Sequence, residues 1–96
     1  MDYHRSRDQF EEDRIDEVLE LIWMLREEGE SYIEDVRKRS EDPNVSQVLY
    51  IVESEGLVST DNGRISFNQQ GEKRAENVIR RHRLAERLLS EVFEIE

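Results

Sequence analysis

The sequence predicts a mainly α-helical fold with a small β-hairpin, arranged as a winged helix-turn-helix: three helices, a two-stranded wing and a long C-terminal helix. Three observations support this fold class. Apolar residues recur at helical spacing in several stretches, and an Asn-Gly dipeptide separates two short strand-like runs. The third helix also has a polar face without charge, although 40% of the chain is charged.

Length and composition predict a single domain over residues 1–96. Only 35% of the residues are hydrophobic, so the core is small and dimerisation or ligand binding would supplement it. The absence of Cys from the sequence excludes disulfides and thiolate metal sites. No apolar run approaches the ~20 residues of a membrane span, and no signal-peptide pattern follows the N-terminus, so we expect a cytoplasmic protein without membrane contact.

The net charge of −10 is unevenly distributed. Residues 1–42 contain 15 acidic and 7 basic residues, whereas residues 43–96 contain 9 acidic and 7 basic residues. Phosphate contacts depend on local Lys and Arg rather than on the total charge. The overall acidity nevertheless predicts weak non-specific affinity for DNA, and it is compatible with a requirement for a cation.

The clearest helix of the first half is Arg14–Glu28, which Gly29 ends. We expect Met1–Asp13 to continue helically into it from a frayed start, with Phe10 as the main anchor after Tyr3. The apolar positions of the helix form a stripe that Trp23 and Met24 widen: Ile15, Val18, Leu19, Ile22 and Leu25.

A second, short helix is predicted over Ser31–Ser40. Ser31 and Glu34 have the spacing of a capping box. Its only strong core anchors are Ile33 and Val36. Three cations lie near its C-terminal end, where they interact favourably with the helix dipole and are available to a phosphate: Arg37, Lys38 and Arg39.

The third helix lies within Asp42–Val58. Asp42 is the predicted N-cap, Pro43 would occupy the first helical position, and Gly56 would end the helix. One face of this helix is apolar, with Val45, Val48, Leu49 and Val52.

The opposite face of the third helix is uncharged, and it shows Asn44, Ser46, Gln47 and Tyr50. Such a face suits a helix that approaches base edges without bringing carboxylates near phosphates. The alternative is a short polar helix packed on a neighbour.

Two strands, Leu57–Thr60 and Arg64–Phe67, are predicted on either side of the Asn62-Gly63 hairpin signal. Arg64 in this wing is placed to touch a DNA backbone, or it is simply solvated. Asn68 would then cap a long helix over Gln69–Glu91, whose apolar positions are Val78, Ile79, Leu84, Leu88, Leu89 and Val92.

Three segments together closely resemble the diphtheria toxin repressor family, the metal-activated winged-helix repressors: Arg80–Leu89 (RRHRLAERLL), Pro43–Val48 (PNVSQV) and Glu55–Val58 (EGLV). The resemblance covers nearly the whole chain from Ile15 onward. It implies that Gln47 hydrogen-bonds a base edge in the major groove and that Pro43 packs on a thymine methyl. Asn44 and Ser46 would be phosphate or base neighbours. The candidate DNA contacts are Arg37, Arg39, Pro43, Asn44, Ser46, Gln47, Tyr50 and Arg64.

Four residues are candidate metal ligands. His82 and Glu86 are spaced i, i+4 on the last helix, and Glu17 and Glu20 are spaced i, i+3 on the first, so each pair can share a helix face. The resemblance implies a metal site between these two helices, with Glu17, Glu20 and His82 as in the manganese branch, and an ancillary role for His82 and Glu86 as in the iron branch. Oxygen and imidazole donors suit Mn²⁺ or Fe²⁺. The alternative is that these carboxylates are ordinary surface charges.

The resemblance implies a metal-dependent transcriptional repressor, or its DNA-binding domain, that acts on double-stranded operator DNA as a homodimer. In that family the long helix that corresponds to about 69–96 leads to a further helical domain, which supplies dimerisation and the remaining metal ligands and which we expect residues 1–96 not to include. We therefore expect an incomplete metal site within one copy of residues 1–96. The alternative function is a winged-helix protein-interaction module without DNA or metal binding. We expect no enzymatic activity, because the sequence shows no nucleophile–base pairing and no Gly-rich phosphate loop.

Overall fold

The computed structural model describes the backbone of residues 8–94 and the side chains of residues 8–90. This part of the chain forms helices α1 (Gln9–Glu28), α2 (Ile33–Arg39) and α3 (Val45–Ser54), strands β1 (Val58–Asp61) and β2 (Arg64–Phe67), and helix α4 (Gln69–Glu94). The two strands pair antiparallel. The predicted mainly helical fold with a small hairpin is therefore confirmed.

Helix α1 is the centre of the fold, because it contacts each of the other three helices. All five residues of its predicted apolar stripe are buried, and each contributes about 1.5–3 kcal/mol by leaving water. The other elements close the core around this stripe with the side chains of Val36, Val48, Val52, Ile65 and Val78.

The N-terminus of α1 differs from the prediction. Asp8 caps the helix by accepting a hydrogen bond from the Glu11 N–H at 3.0 Å. Phe10 is 68% exposed and contacts the guanidinium of Arg14, so its predicted role as an anchor is wrong. The expected anchor Tyr3 lies outside the described residues. At the other end, Gly29 terminates α1 with a φ of 149°, as predicted.

Ser31 does not form the predicted capping box. Its Oγ is buried and donates to the Ile65 carbonyl at 2.8 Å, and α2 begins only at Ile33. The Ile33 N–H bonds to the Gly63 carbonyl at 2.8 Å, and the Ile65 N–H bonds to the Ser31 carbonyl at 2.9 Å. These bonds hold the segment before α2 along β2, so that Tyr32 occupies the N-cap position and the Ser31 hydroxyl is engaged by Ile65.

Helix α3 begins two residues later than predicted, at Val45, with Asn44 as its N-cap residue. The assignment of Asp42 as N-cap is wrong, because Asn44 occupies that position. The Asp42 carboxylate binds Arg14 at 2.7 and 3.2 Å and accepts from the Asn44 N–H at 2.8 Å within the turn before the helix. Pro43 consequently lies in a turn before the helix rather than in its first helical position.

The end of α3 and the hairpin follow the prediction closely. Gly56 has a φ of 77°, and the Leu57 N–H bonds to the Val52 carbonyl at 2.9 Å, which is a Schellman ending. β1 is shifted by one residue from its predicted bounds. Asn62 and Gly63 have φ values of 54° and 83°, as a two-residue type I′ turn requires.

The first half of α4 packs on the core, whereas residues 81–90 are exposed. Asn68 precedes α4, and its carbonyl accepts from the Glu72 N–H at 2.9 Å. Ala75, Val78 and Ile79 are buried. In contrast, three predicted apolar positions are more than half exposed: Leu84, Leu88 and Leu89. The side chain of Val92 lies outside the described side chains. Within residues 8–94, no helix is long and apolar enough to span a membrane.

Candidate functional site

The outer face of α3 is exposed, and it carries no charge as far as Tyr50, whereas the exposed Glu53 lies in the last turn of the helix. Val45, Val48 and Val52 turn inward and are buried, which leaves the polar side of the helix in solvent. Five of the predicted DNA contacts are exposed on this side or in the turn before it: Pro43, Asn44, Ser46, Gln47 and Tyr50. Tyr50 is 72% exposed. We call these five residues the α3 face.

Three of the four cations that the sequence offers to phosphates lie near a carboxylate. Arg39 donates to both oxygens of Glu28 at 2.9 and 3.1 Å. Arg37 lies 3.7 Å from Glu34, and Arg64 lies 3.9 Å from Glu30. A phosphate must therefore replace a carboxylate partner at each of these positions.

The Arg39–Glu28 pair has the best geometry of the three, and the pKa values of its members reflect this. The hydrogen bonds from Arg39 lower the pKa of Glu28, and those same bonds raise the pKa of Arg39. Both side chains are about half exposed, so water and salt screen the pair.

A groove between α1 and α4 contains three of the four predicted metal ligands. The Nδ1 of His82 lies 2.9 Å from the Oε1 of Glu20. Glu86 lines the same groove, together with Glu27, Glu28, Met24, Ile79 and Arg83. We call this the α1–α4 groove.

The fourth predicted ligand, Glu17, does not lie in this groove. It lines a different depression, between α1 and the α2–α3 connection, beside Arg14 and Asp42. Positions three apart on a helix differ by about 60° around the axis, and here that rotation separates Glu17 from Glu20. The two carboxylates therefore do not meet as a ligand pair.

Among the described side chains of residues 8–90, no three His, Asp or Glu side chains converge closely enough to hold a metal ion. The Glu20–His82 contact supplies one carboxylate and one imidazole, which are suitable donors for a divalent metal but fewer than a complete ligand set. The residues present thus fit part of a metal site.

An ionic cluster that the sequence did not predict joins α1 to α4. Arg74 donates to Asp16 at 2.8 Å and to Glu12 at 2.6 Å, and Arg81 lies 3.8 Å from Asp16. Partial burial alone would lower the pKa of Arg74, but the hydrogen bonds to the two carboxylates outweigh it and raise that pKa. The i, i+4 spacing of Glu12, Asp16 and Glu20 was a visible signal for an acidic edge of α1, although not for its partners.

Comparison with known proteins gave one match. Residues 68–96 match the family model described as the iron-dependent repressor, metal-binding and dimerisation domain. This segment is under a third of the chain and includes α4 with His82 and Glu86. Neither curated protein sequences nor solved structures gave a significant match. The match supports a relationship with iron-dependent repressors, and it does not extend to α1, α2 or α3.

Proposed function

We propose that this chain is a cytoplasmic, metal-responsive transcriptional repressor, or the DNA-binding part of one, that binds operator DNA as a homodimer. In this proposal α2, α3 and the β1–β2 hairpin form a winged helix-turn-helix, with α3 as the recognition helix. The α3 face is the observation that carries the proposal, because it is exposed and uncharged in a chain with a net charge of −10.

The chemistry of the α3 face suits the major groove. The carboxamide of Gln47 can donate to and accept from a base edge, and the ring of Pro43 can pack on a thymine methyl. Asn44 and Ser46 follow at the start of the helix, where side chains of a recognition helix contact base edges or phosphates. Arg37, Arg39 and Arg64 would bind phosphates after exchanging their carboxylate partners, and this exchange reduces the contribution of each to affinity.

The metal response is proposed for the α1–α4 groove. The matched family model describes a metal-binding domain, and it covers His82 and Glu86. His82 and Glu20 already lie in contact, so Mn²⁺ or Fe²⁺ could be bound by this pair. A third donor would come from Glu86 in the same groove or from a second copy of the chain.

The homodimer is proposed for the exposed part of α4. The matched model also describes a dimerisation domain. Leu84, Leu88 and Leu89 lie in this part of the helix and expose apolar surface that a partner would cover.

The test is selection of duplexes from a random-sequence DNA pool, with and without Mn²⁺, at two salt concentrations. We expect enrichment of a defined sequence, stronger with Mn²⁺ and weaker at high salt. Gln47→Ala should lose about 1–3 kcal/mol of preference at one base pair. Gln70→Ala, which removes an exposed carboxamide from α4, is the matched control and should bind as the wild type does. Unchanged base preference in Gln47→Ala would contradict the assignment of α3.

A second candidate function is a protein-interaction module. The observation that favours it is the pairing of Arg37, Arg39 and Arg64 with carboxylates, together with the net charge of −10. In that case the acidic first half of the chain would bind a basic partner. Failure to enrich any duplex at either salt concentration would favour this function over the repressor.

A further inference from the structure

Arg14 of α1 contacts the turn from which α3 begins. Its Nε donates to Asp42 at 2.7 Å and its second nitrogen donates to the other carboxylate oxygen at 3.2 Å. The two side chains are only 19% and 13% exposed, so the pair is largely shielded from water. It joins residues 28 positions apart in the sequence.

The same carboxylate organises the first turn of α3. Asp42 accepts from the Asn44 N–H at 2.8 Å, and the Asp42 carbonyl accepts from the Val45 N–H at 3.2 Å. The Asn44 carbonyl in turn accepts from the N–H groups of Gln47 and Val48. A continuous series of hydrogen bonds thus runs from the guanidinium of Arg14 to the first turn of the helix.

At this end, helix α3 is held by the burial of Val45 and by the bonds around Asp42, without a side-chain cap. Asn44 is in the N-cap position but forms no side-chain capping bond, and Pro43 has no N–H to donate. The N–H groups of Asn44 and Val45 depend instead on the carboxylate and the carbonyl of Asp42 as acceptors. The orientation of the α3 face therefore depends on where Asp42 is held.

We propose that Arg14 and Asp42 are positioning residues for DNA recognition: the pair fixes the first turn of α3 and hence the placement of Asn44, Ser46 and Gln47. This inference rests on the proposed function. Neither residue needs to contact DNA, because each acts through the backbone of the turn.

Charge alone predicts a different outcome. Asp42→Asn removes a negative charge next to the α3 face and would strengthen DNA binding by a purely electrostatic effect. Arg14→Gln removes a positive charge and would weaken it. Positioning predicts weaker binding for both variants, since each breaks the same pair. The sign of the Asp42→Asn effect therefore separates the two explanations.

The experiment measures the affinity of four variants for the duplex that the wild type selects, under conditions in which circular dichroism shows each variant folded. Arg14→Gln, Asp42→Asn and the double variant should each bind about three- to tenfold more weakly, with no additional loss in the double variant. Arg14→Lys should fall between the wild type and Arg14→Gln, because an ammonium keeps the charge but not the two-pronged geometry.

Arg74→Gln is the matched control. Like Arg14→Gln, it removes one positive charge from a partly shielded ion pair. Arg74, however, lies on α4 and binds carboxylates of α1, so it does not contact the turn before α3. Its affinity should stay within about twofold of the wild type. An equal loss in Arg74→Gln and Arg14→Gln would overturn the positioning role.

Amide hydrogen exchange supplies a readout that needs no DNA. In Arg14→Gln and Asp42→Asn, the amides of Val45, Gln47 and Val48 should exchange on the order of tenfold faster than in the wild type, while amides in the middle of α1 should not change. Faster exchange with unchanged DNA affinity overturns the positioning role. Unchanged exchange overturns it as well, whereas enrichment of no duplex by the wild type overturns the proposed function itself.

Discussion

Replacing Gly71 with Ala tests how closely α4 approaches the start of β1. Gly71 lies in the first turn of α4 and is buried. A Cβ at this position would lie 2.7 Å from the carbonyl carbon of Leu57 and closer still to its oxygen. Ordinary contacts between carbon atoms are about 3.5–4.0 Å, and the oxygen is nearer than the carbon, so the helix start and Leu57 must separate by more than ~1 Å.

The expected effect is the sum of three contributions. Forced overpacking costs about 1–3 kcal/mol. The separation also weakens the bond from the Asn68 N–H to the Leu57 carbonyl, which is 2.9 Å long and contributes about 1 kcal/mol. Ala is favoured over Gly in a helix by about 1 kcal/mol, which offsets part of the loss. We therefore expect Gly71→Ala to lower the free energy of unfolding by about 1–3 kcal/mol.

The assay is urea unfolding followed by circular dichroism at one fixed protein concentration, because dimerisation would make the stability concentration-dependent. Gln70→Ala at the adjacent, exposed position is the control and should stay within about 0.5 kcal/mol of the wild type. Helix propensity alone predicts that Gly71→Ala is stabilising. A variant as stable as the wild type, or more stable, would refute the close approach of α4 to Leu57.

Three further predictions each concern a single side chain. The bond from Arg14 lowers the pKa of Asp42, so the pair stabilises the fold above the unfolded pKa of about 3.9 and this stability is lost as the pH falls through the folded pKa. The wild type should therefore exceed Asp42→Asn in unfolding free energy at pH 7, and the difference should shrink below pH 4. Ser31→Ala leaves the Ile65 carbonyl without its side-chain donor and should lower the unfolding free energy by about 1–3 kcal/mol in the same urea assay. Leu88→Glu changes an exposed side chain, so it should leave the stability of the monomer nearly unchanged. In sedimentation, the variant should shift from dimer to monomer. A variant that still sediments as a dimer would exclude this part of α4 from the interface.

The candidate site was predictable where it depends on one helix alone. The uncharged α3 face is a property of consecutive residues, so its exposure could be predicted from the burial of Val45, Val48 and Val52 on the opposite side. The α1–α4 groove was predictable only in part. Helical spacing allowed either Glu17 or Glu20 to face α4. Only the packing of the two helices places Glu20 against His82 of α4 and Glu17 elsewhere.

The sequence by itself determined the features that depend on local backbone conformation. The apolar stripe of α1, the helix ends at Gly29 and Gly56, and the turn at Asn62-Gly63 all occur as predicted. Apolar periodicity and positive φ angles are set within a few residues, so no distant segment is needed to predict them.

Only the tertiary structure decided the partners of the polar side chains. Ser31 and Asp42 have the residue types and positions of helix caps, but Ser31 bonds to a carbonyl 34 positions away and Asp42 to a guanidinium 28 positions away. Arg74 likewise binds carboxylates 58 and 62 positions away. A polar side chain has several possible hydrogen-bond partners of similar free energy, and the segment that docks beside it selects among them.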